Sequence, residues 1–181
     1  KLLFDFDNLD AESCPNISFL KLEIENIPLS YNGLLKNYFS DFGLNKTNFF
    51  TDISNYLSYE TGQPTHCYDA KTINSKIVFK TIEANTELET LLNTKVYLTG
   101  TNSFFIQDNE IINLAGVMGG KSTSCSNKTK TVLVECAFFN PESIMGQSVK
   151  YDIQSEAAHK FERGVDPESQ EQVLRRFIRI V

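Results

Sequence analysis

The sequence predicts an α+β fold, with mixed β-sheets in a layered β/β/α arrangement and helices on the outside. Three observations support this prediction. Residues 16–26 alternate apolar and polar side chains, as a half-buried strand does. The segment "TVLVECAFF" (131–139) is apolar on both faces, and helical segments dominate the chain after it. The 181 residues are expected to form one compact module.

The first half of the chain predicts two helices and a group of strands. The first helix follows Ser30 as N-cap and stops at Gly43, and the second follows Asp52 as a possible cap and ends before Gly62. "SKIVFKTI" predicts a strand. The short apolar runs between residues 95 and 120, broken by Gly and Asn, predict two or three more strands with tight turns.

Three helices are predicted in the last third of the chain. Asn140 and Pro141 begin the helix "PESIMGQSVKYD", and Gly164 closes "SEAAHKFERG". Asp166 is the expected cap of the last helix, with Pro167 as its first residue.

The two ends of the chain are expected to belong to a longer protein. Residues 1–17 are a predicted N-terminal lead-in, and residues 166–181 are a predicted truncated helix without a C-cap. Because Lys1 is not a methionine and the last helix runs off the end, we expect a fragment.

Composition narrows the class of protein. Apolar residues at 41% and charged residues at 22% are ordinary for a soluble globular protein, and no run predicts a membrane helix or a signal peptide. The four cysteines form no C-x-x-C pair, which favours a reducing compartment and predicts no metal site. Seventeen basic against 23 acidic residues argue against a surface that binds nucleic acid by bulk charge.

His66, in "ETGQPTHCYD", is one of only two histidines in the chain. Gly62 and Pro64 restrict the backbone just before it, so the imidazole has little freedom of direction. Either His66 caps a turn or a helix end, or the chain directs it into a functional site.

Glu135 lies in the middle of the apolar strand "TVLVECAFF", on the face of Leu133 and Ala137. A buried carboxylate is costly unless something pairs with it. The partner is either a lysine or arginine in the core, or a ligand that donates a hydrogen bond, such as a hydroxyl.

The glycine-rich segment "LAGVMGG" (114–120) lacks the spacing of a nucleotide-binding loop. It reads better as a turn whose glycines allow close packing or line a pocket with bare amides.

Taken together, "DISNY", "GQPTHCYD", "LAGVMGG", "VLVECAFFNP" and "HKFERGVDPE" resemble the beta subunit of bacterial-type phenylalanyl-tRNA synthetase. The resemblance covers residues 18–180 and points to the third and fourth domains, the module that edits mischarged tRNA. It implies hydrolysis of tyrosyl-tRNA(Phe), a reaction needed because an apolar pocket for phenylalanine rejects tyrosine by only about a hundredfold.

The resemblance also implies roles for individual residues. Glu135 would accept the tyrosyl hydroxyl, helped by the backbone of the "LAGVMGG" segment. Ala115 and Gly116 would lie beside Glu135. His66, Ser54 and Asn55 would surround the ester and a hydrolytic water. Ser155 and Ala157 would shape the wall of the amino-acid pocket.

The sequence departs from the family pattern at several positions without losing His66, Asn55, Gly116 or Glu135. The departures are Asn45, Phe49, Thr65, Cys67, Tyr68, Ser155 and Lys160.

An alternative interpretation makes the module a scaffold that positions tRNA without editing. In either case the resemblance implies a cytoplasmic protein that contacts the acceptor end of tRNA(Phe) and assembles with an alpha subunit. ATP and Mg²⁺ would serve the parent enzyme, and this module itself would need no cofactor.

Overall fold

The computed structural model describes residues 4–181, which form two β-sheets and six α-helices. The strands are β1 (Phe6–Asn8), β2 (Asn16–Glu23), β3 (His66–Asp69), β4 (Ile77–Glu89), β5 (Lys95–Gln107), β6 (Glu110–Leu114), β7 (Met118–Gly119) and β8 (Thr131–Phe138). The helices are α1 (Gly33–Asp41), α2 (Phe49–Thr61), α3 (Pro141–Ile144), α4 (Gln147–Lys150), α5 (Glu156–Arg163) and α6 (Gln170–Ile180).

The larger sheet has five strands in the order β1-β4-β5-β6-β7. β1 pairs parallel with β4, and all the other pairs are antiparallel, so the sheet is mixed as predicted. The long β4–β5 hairpin runs from Ile77 opposite Gln107 to Glu89 opposite Lys95.

The smaller sheet has three antiparallel strands in the order β2-β8-β3. The central strand is β8, the strand that the sequence predicted to be buried on both faces. Its six residues from Val132 to Ala137 are all buried. Glu135 lies opposite Phe19 of β2 on one side and opposite His66 of β3 on the other.

The two faces of β8 belong to two different hydrophobic cores. Leu133 and Ala137 face a core that they share with the five-stranded sheet. Val132, Val134 and Cys136 face a second core that they share with α1, α2 and α6. The five-stranded sheet, the three-stranded sheet and the helices thus form three successive layers, which confirms the predicted β/β/α arrangement. Because side chains alternate along β8, its residues are divided between the two cores.

Several predicted helix starts were wrong, although the helices exist. α1 follows Asn32 rather than Ser30, and α2 begins a turn early because the Asn48 side chain accepts from Thr51 N at 3.0 Å. The Asp52 carboxylate instead lies inside that turn and accepts from Thr47 N and from the Tyr31 hydroxyl.

The C-terminal region differs from the prediction in two places. The single helix expected from residue 141 is split into α3 and α4 at Gly146, which has a left-handed φ of 78°. The last helix, α6, follows Ser169, so Asp166 and Pro167 lie in the preceding turn. The predicted stops at Gly62 and Gly164 are confirmed.

Residues 4–17, expected as a lead-in, supply β1 and the fully buried Cys14, and β2 begins at Asn16. Residues 1–3 of that segment lie outside the described residues. No helix among residues 4–181 has the length and apolar character needed to cross a membrane.

Candidate functional site

One cavity of about 490 Å³ lies among the two sheets, α2 and the start of α5. Seven of the eight residues proposed from the sequence line it: Ser54, Asn55, His66, Gly116, Glu135, Ser155 and Ala157. The eighth, Ala115, is buried and does not line the cavity; its backbone N–H donates to Ser103 O at 3.0 Å. We call this space the site cavity.

The pairing of β3 with β8 places His66 and Glu135 side by side. The two residues are direct partners in the antiparallel register, so their side chains leave the same face of the sheet. The approach to β3 is fixed by Gly62, whose φ of 77° ends α2, and by Gln63, whose side-chain amide donates to Pro64 O and Ala137 O. The chain therefore enters β3 in a fixed register against β8.

Glu135 is 4% exposed, and its partner among residues 4–181 is a tyrosine, not a lysine or arginine. The Tyr68 hydroxyl donates to Glu135 Oε2 at 2.6 Å, and Asn113 Nδ2 donates to that hydroxyl at 2.9 Å. Oε1 has no hydrogen-bond partner within the described residues. Burial raises the pKa of Glu135 to about 8, against the opposing effect of the Tyr68 hydrogen bond.

His66 caps neither a turn nor a helix, since it is the first residue of β3. Its Nε2 is buried and has no hydrogen-bond partner among residues 4–181. Burial lowers the pKa of His66 to about 4, and the Tyr68 ring packs edge-on against the imidazole at 4.4 Å between centroids. The imidazole is therefore neutral near pH 7 and free to hydrogen-bond a ligand.

Gly119 of β7 sets the position of the His66 ring. A Cβ at residue 119 would lie 2.9 Å from His66 Nε2 and closer still to Cε1, which is far inside van der Waals contact. The absence of a side chain at Gly119 is thus what allows the imidazole to approach β7 closely.

Gly119→Ala is expected to displace the His66 ring toward solvent and to raise its pKa from about 4 toward 6.5, because the ring loses its burial. The chain has only two histidines, so NMR titration of the two imidazole Cε1 protons measures the change directly. Gly146→Ala is a comparison away from His66: a Cβ there meets nothing within 4 Å, and although its left-handed φ of 78° strains an alanine, the His66 titration should not change. An unchanged His66 titration in Gly119→Ala would contradict this packing.

The hydroxyls of the two serines that line the cavity are engaged by the protein. Ser54 Oγ donates to Thr65 O at 2.7 Å, which ties α2 to the start of β3. Ser155 Oγ donates to Val117 O at 2.7 Å and accepts from Ala158 N at 3.1 Å, so it caps α5 and holds the "LAGVMGG" turn. Both serines position elements around the cavity.

Asn55 and Gly116 present unused hydrogen-bonding groups. The Asn55 side chain is exposed and makes no hydrogen bond within residues 4–181. Gly116 has a left-handed φ of 69°, and a Cβ there would lie 2.8 Å from Ile144 Cδ1. Its N–H donates to no described group, so the glycine supplies a bare amide beside the cavity.

Three departures from the family pattern have structural partners. Thr65 is the partner of Ser54. Lys160 Nζ donates to Ser58 O at 2.6 Å and to Ser58 Oγ at 2.7 Å, linking α5 to α2. Phe49 is buried in the core beneath α2. Asn45, by contrast, lines the site cavity.

Three contributions to the site were not predicted: those of Tyr68 and Asn113, which form hydrogen bonds beside Glu135, and that of Asn48, which caps α2 and lines the cavity. Tyr68 could have been found, because it stands two residues after His66 and strand alternation returns it to the same face. Asn113 comes from the other sheet, and no local pattern links it to Tyr68.

The cavity wall carries two carboxyl groups, of which Glu135 is held neutral near pH 7 by its raised pKa. Glu135 and Glu156 line the cavity, whereas no lysine or arginine of the described residues does. Residues 4–181 also contain no cluster of three or more His, Cys, Asp or Glu side chains that could hold a metal ion.

This combination of fold and cavity defines a β/β/α domain with a buried carboxylate and a neutral histidine at one site. The B3/4 domain family matches residues 18–181, so the chain belongs to the B3/4 domain family.

Similar proteins are phenylalanine–tRNA ligase beta subunits. Those of Francisella tularensis and Ehrlichia canis are 35% and 38% identical over 77% and 74% of this chain. That of Chlamydia trachomatis is 31% identical over 97% of it. The chain spans 18%, 17% and 22% of these relatives, about a fifth of their length.

A solved structure supports the fold. An N-terminal fragment of the phenylalanyl-tRNA synthetase beta subunit from Pyrococcus horikoshii superposes with a TM-score of 0.53 at 10% identity, covering 81% of this chain and 46% of that one.

Proposed function

We propose that this chain is the editing module of a phenylalanine–tRNA ligase beta subunit and hydrolyses tyrosyl-tRNA(Phe) to tyrosine and tRNA. The observation that carries the proposal is Oε1 of the buried Glu135, which has no hydrogen-bond partner among residues 4–181 and belongs to a residue that lines the same cavity as the unpaired Nε2 of His66.

Glu135 supplies the selectivity in this proposal. A tyrosyl side chain that enters the cavity brings a hydroxyl to Oε1 and to the bare N–H of Gly116. A phenylalanyl side chain leaves the buried Oε1 without a partner, and such a loss discriminates by about 10⁴. The cavity then spares the correct product.

His66 and Asn55 act at the ester end. The His66 imidazole is neutral near pH 7, and with a pKa of about 4 it is a weak base. Its role is therefore to orient the attacking water and the ester by hydrogen bonds, together with the Asn55 amide. Water adds to the ester carbonyl carbon, the bond from that carbon to the ribose oxygen breaks, and a proton from the water passes to the ribose oxygen, which releases tyrosine and tRNA.

The proposal extends to the whole protein. The whole protein would assemble with an alpha subunit in the cytoplasm, and this assembly would attach phenylalanine to tRNA(Phe) with ATP and Mg²⁺. The net charge of −6 and the absence of lysine and arginine from the described cavity wall suit a module that holds only the acceptor end.

His66→Ala is expected to slow deacylation of tyrosyl-tRNA(Phe) about a hundredfold, because misplacing the attacking water relative to the ester costs on that order. The assay uses the full-length protein assembled with its partner subunit. His159→Ala, which changes the other histidine of the chain, is the matched control and should deacylate like wild type. If wild type leaves tyrosyl-tRNA intact, the module is a scaffold and the proposal fails.

A further inference from the structure

We propose that Tyr68, held by Asn113, is a positioning residue for substrate selection: it occupies Oε2 of Glu135 so that Oε1 alone meets the substrate hydroxyl. This inference rests on the proposed function and adds residues to the selective part of the site.

The three side chains form a buried chain of hydrogen bonds across the two sheets. Asn113 belongs to β6 of the larger sheet, whereas Tyr68 and Glu135 belong to β3 and β8 of the smaller sheet. They are 3%, 0% and 4% exposed, and the two hydrogen bonds measure 2.9 Å and 2.6 Å. Nothing in the roles assigned above to His66 and Asn55 requires this chain.

The direction of each hydrogen bond is fixed by the number of protons. A phenol has one proton to donate. Asn113 Nδ2 donates to the Tyr68 oxygen, and Glu135 Oε2 is the acceptor that residues 4–181 offer to the phenol proton, so that proton is directed to Oε2. Oε2 is therefore always an acceptor, and any proton that the carboxyl group holds must lie on Oε1.

This arrangement sharpens the selection of tyrosine. A carboxylate with two free oxygens could turn within the cavity, which would blur the position at which a hydroxyl is recognised. Because Oε2 is bonded to Tyr68, Oε1 is held in one place. When a phenylalanyl side chain occupies the cavity, the carboxyl group cannot rotate to give Oε1 another partner, so the cost of the unpaired oxygen remains.

Tyr68→Phe tests the inference in the full-length protein assembled with its partner subunit. We expect the selectivity for tyrosyl-tRNA(Phe) over phenylalanyl-tRNA(Phe) to fall about tenfold, the factor that one hydrogen bond is worth. The loss should appear as a higher KM for the tyrosyl ester with kcat within about twofold of wild type, because the ester end is untouched.

Tyr31→Phe is a matched control. The Tyr31 hydroxyl also donates to a buried carboxylate at 2.6 Å, that of Asp52, but neither residue lines the site cavity. Its removal costs a comparable hydrogen bond and should leave the selectivity unchanged. Asn113→Ala is a second variant, which keeps the phenol and removes only the hydrogen bond from Asn113 to the Tyr68 hydroxyl. We expect it to lower the selectivity about threefold, again through a higher KM for the tyrosyl ester.

Selectivity equal to wild type in Tyr68→Phe, or an equal fall in both ester rates, would overturn the inference and leave the proposed function standing. If Tyr68→Phe does not fold, wild-type selectivity in Asn113→Ala overturns it. If wild type itself does not hydrolyse the tyrosyl ester, the proposed function fails first, and the inference with it.

Discussion

Glu135→Ala is expected to lower the selectivity for tyrosyl-tRNA(Phe) over phenylalanyl-tRNA(Phe) by about 10³, the largest change of any substitution in the site. Under the proposed function, the variant removes the carboxyl group that distinguishes the two side chains and leaves the Gly116 N–H in place. Without a buried carboxyl group to satisfy, the cavity should separate two ligands that differ by a hydroxyl by at most about a hundredfold. The tyrosyl ester should lose rate, while the phenylalanyl ester should gain rate because its side chain no longer leaves a carboxyl oxygen unpaired.

The measurement is kcat/KM for deacylation of each ester by the full-length protein. Glu156→Ala is the control, because Glu156 also lines the cavity but is exposed at the start of α5. We expect Glu156→Ala to retain the wild-type selectivity. Retention of selectivity in Glu135→Ala would show that another group recognises the hydroxyl.

Glu135→Gln is expected to stabilise the fold at alkaline pH. Burial raises the pKa of Glu135 to about 8 from 4.5, so the folded state binds the proton more tightly than the unfolded state does. The stability associated with that proton is fully present below pH 4.5 and is lost as the pH rises through about 8. Glutamine is neutral throughout and avoids this loss.

The expected change in the free energy of unfolding follows from the shift in the pKa of Glu135. The free energy of unfolding of wild type, relative to that of Glu135→Gln, should fall by about 3 kcal/mol between roughly pH 5.5 and 9. The titratable groups near Glu135 change little over this range. Burial keeps the pKa of His66 near 4, and it raises the pKa of Tyr68, Cys14, Cys67 and Cys136.

Denaturant unfolding of the 181-residue chain at several pH values measures this difference. Asp52→Asn is a useful comparison, because Asp52 is the other buried carboxylate with a tyrosine partner and lies outside the cavity. A wild-type minus Glu135→Gln difference that stays constant with pH would mean that Glu135 is solvated.

Much of the fold could be predicted from local sequence. Strand alternation assigned Glu135 to the face of Leu133 and Ala137, and the structure places those two residues in one core while Val132 and Val134 lie in the other. Glycines that end helices were also predictable, because Gly62 adopts a backbone conformation that other residues avoid.

The starts of helices were less predictable, since several residue types can cap a helix and tertiary contacts choose among them. Asp52 is a good N-cap by type, yet Asn48 takes that role and Asp52 binds Tyr31.

The Tyr68–Asn113 contact depends on how two sheets pack, and that packing brings together residues 45 positions apart. The resemblance named seven residues that line the site cavity, whereas the hydrogen bonds of Tyr68 to Glu135 and Asn113 required the structure.

The most direct test of the account is a competition between tyrosyl-tRNA(Phe) and phenylalanyl-tRNA(Phe) for deacylation by the wild-type full-length protein. If Oε1 of Glu135 selects the hydroxyl, the tyrosyl ester should be cleared faster by a factor of about 10³ or more. Equal rates for the two esters, or persistence of the tyrosyl ester, would contradict the account.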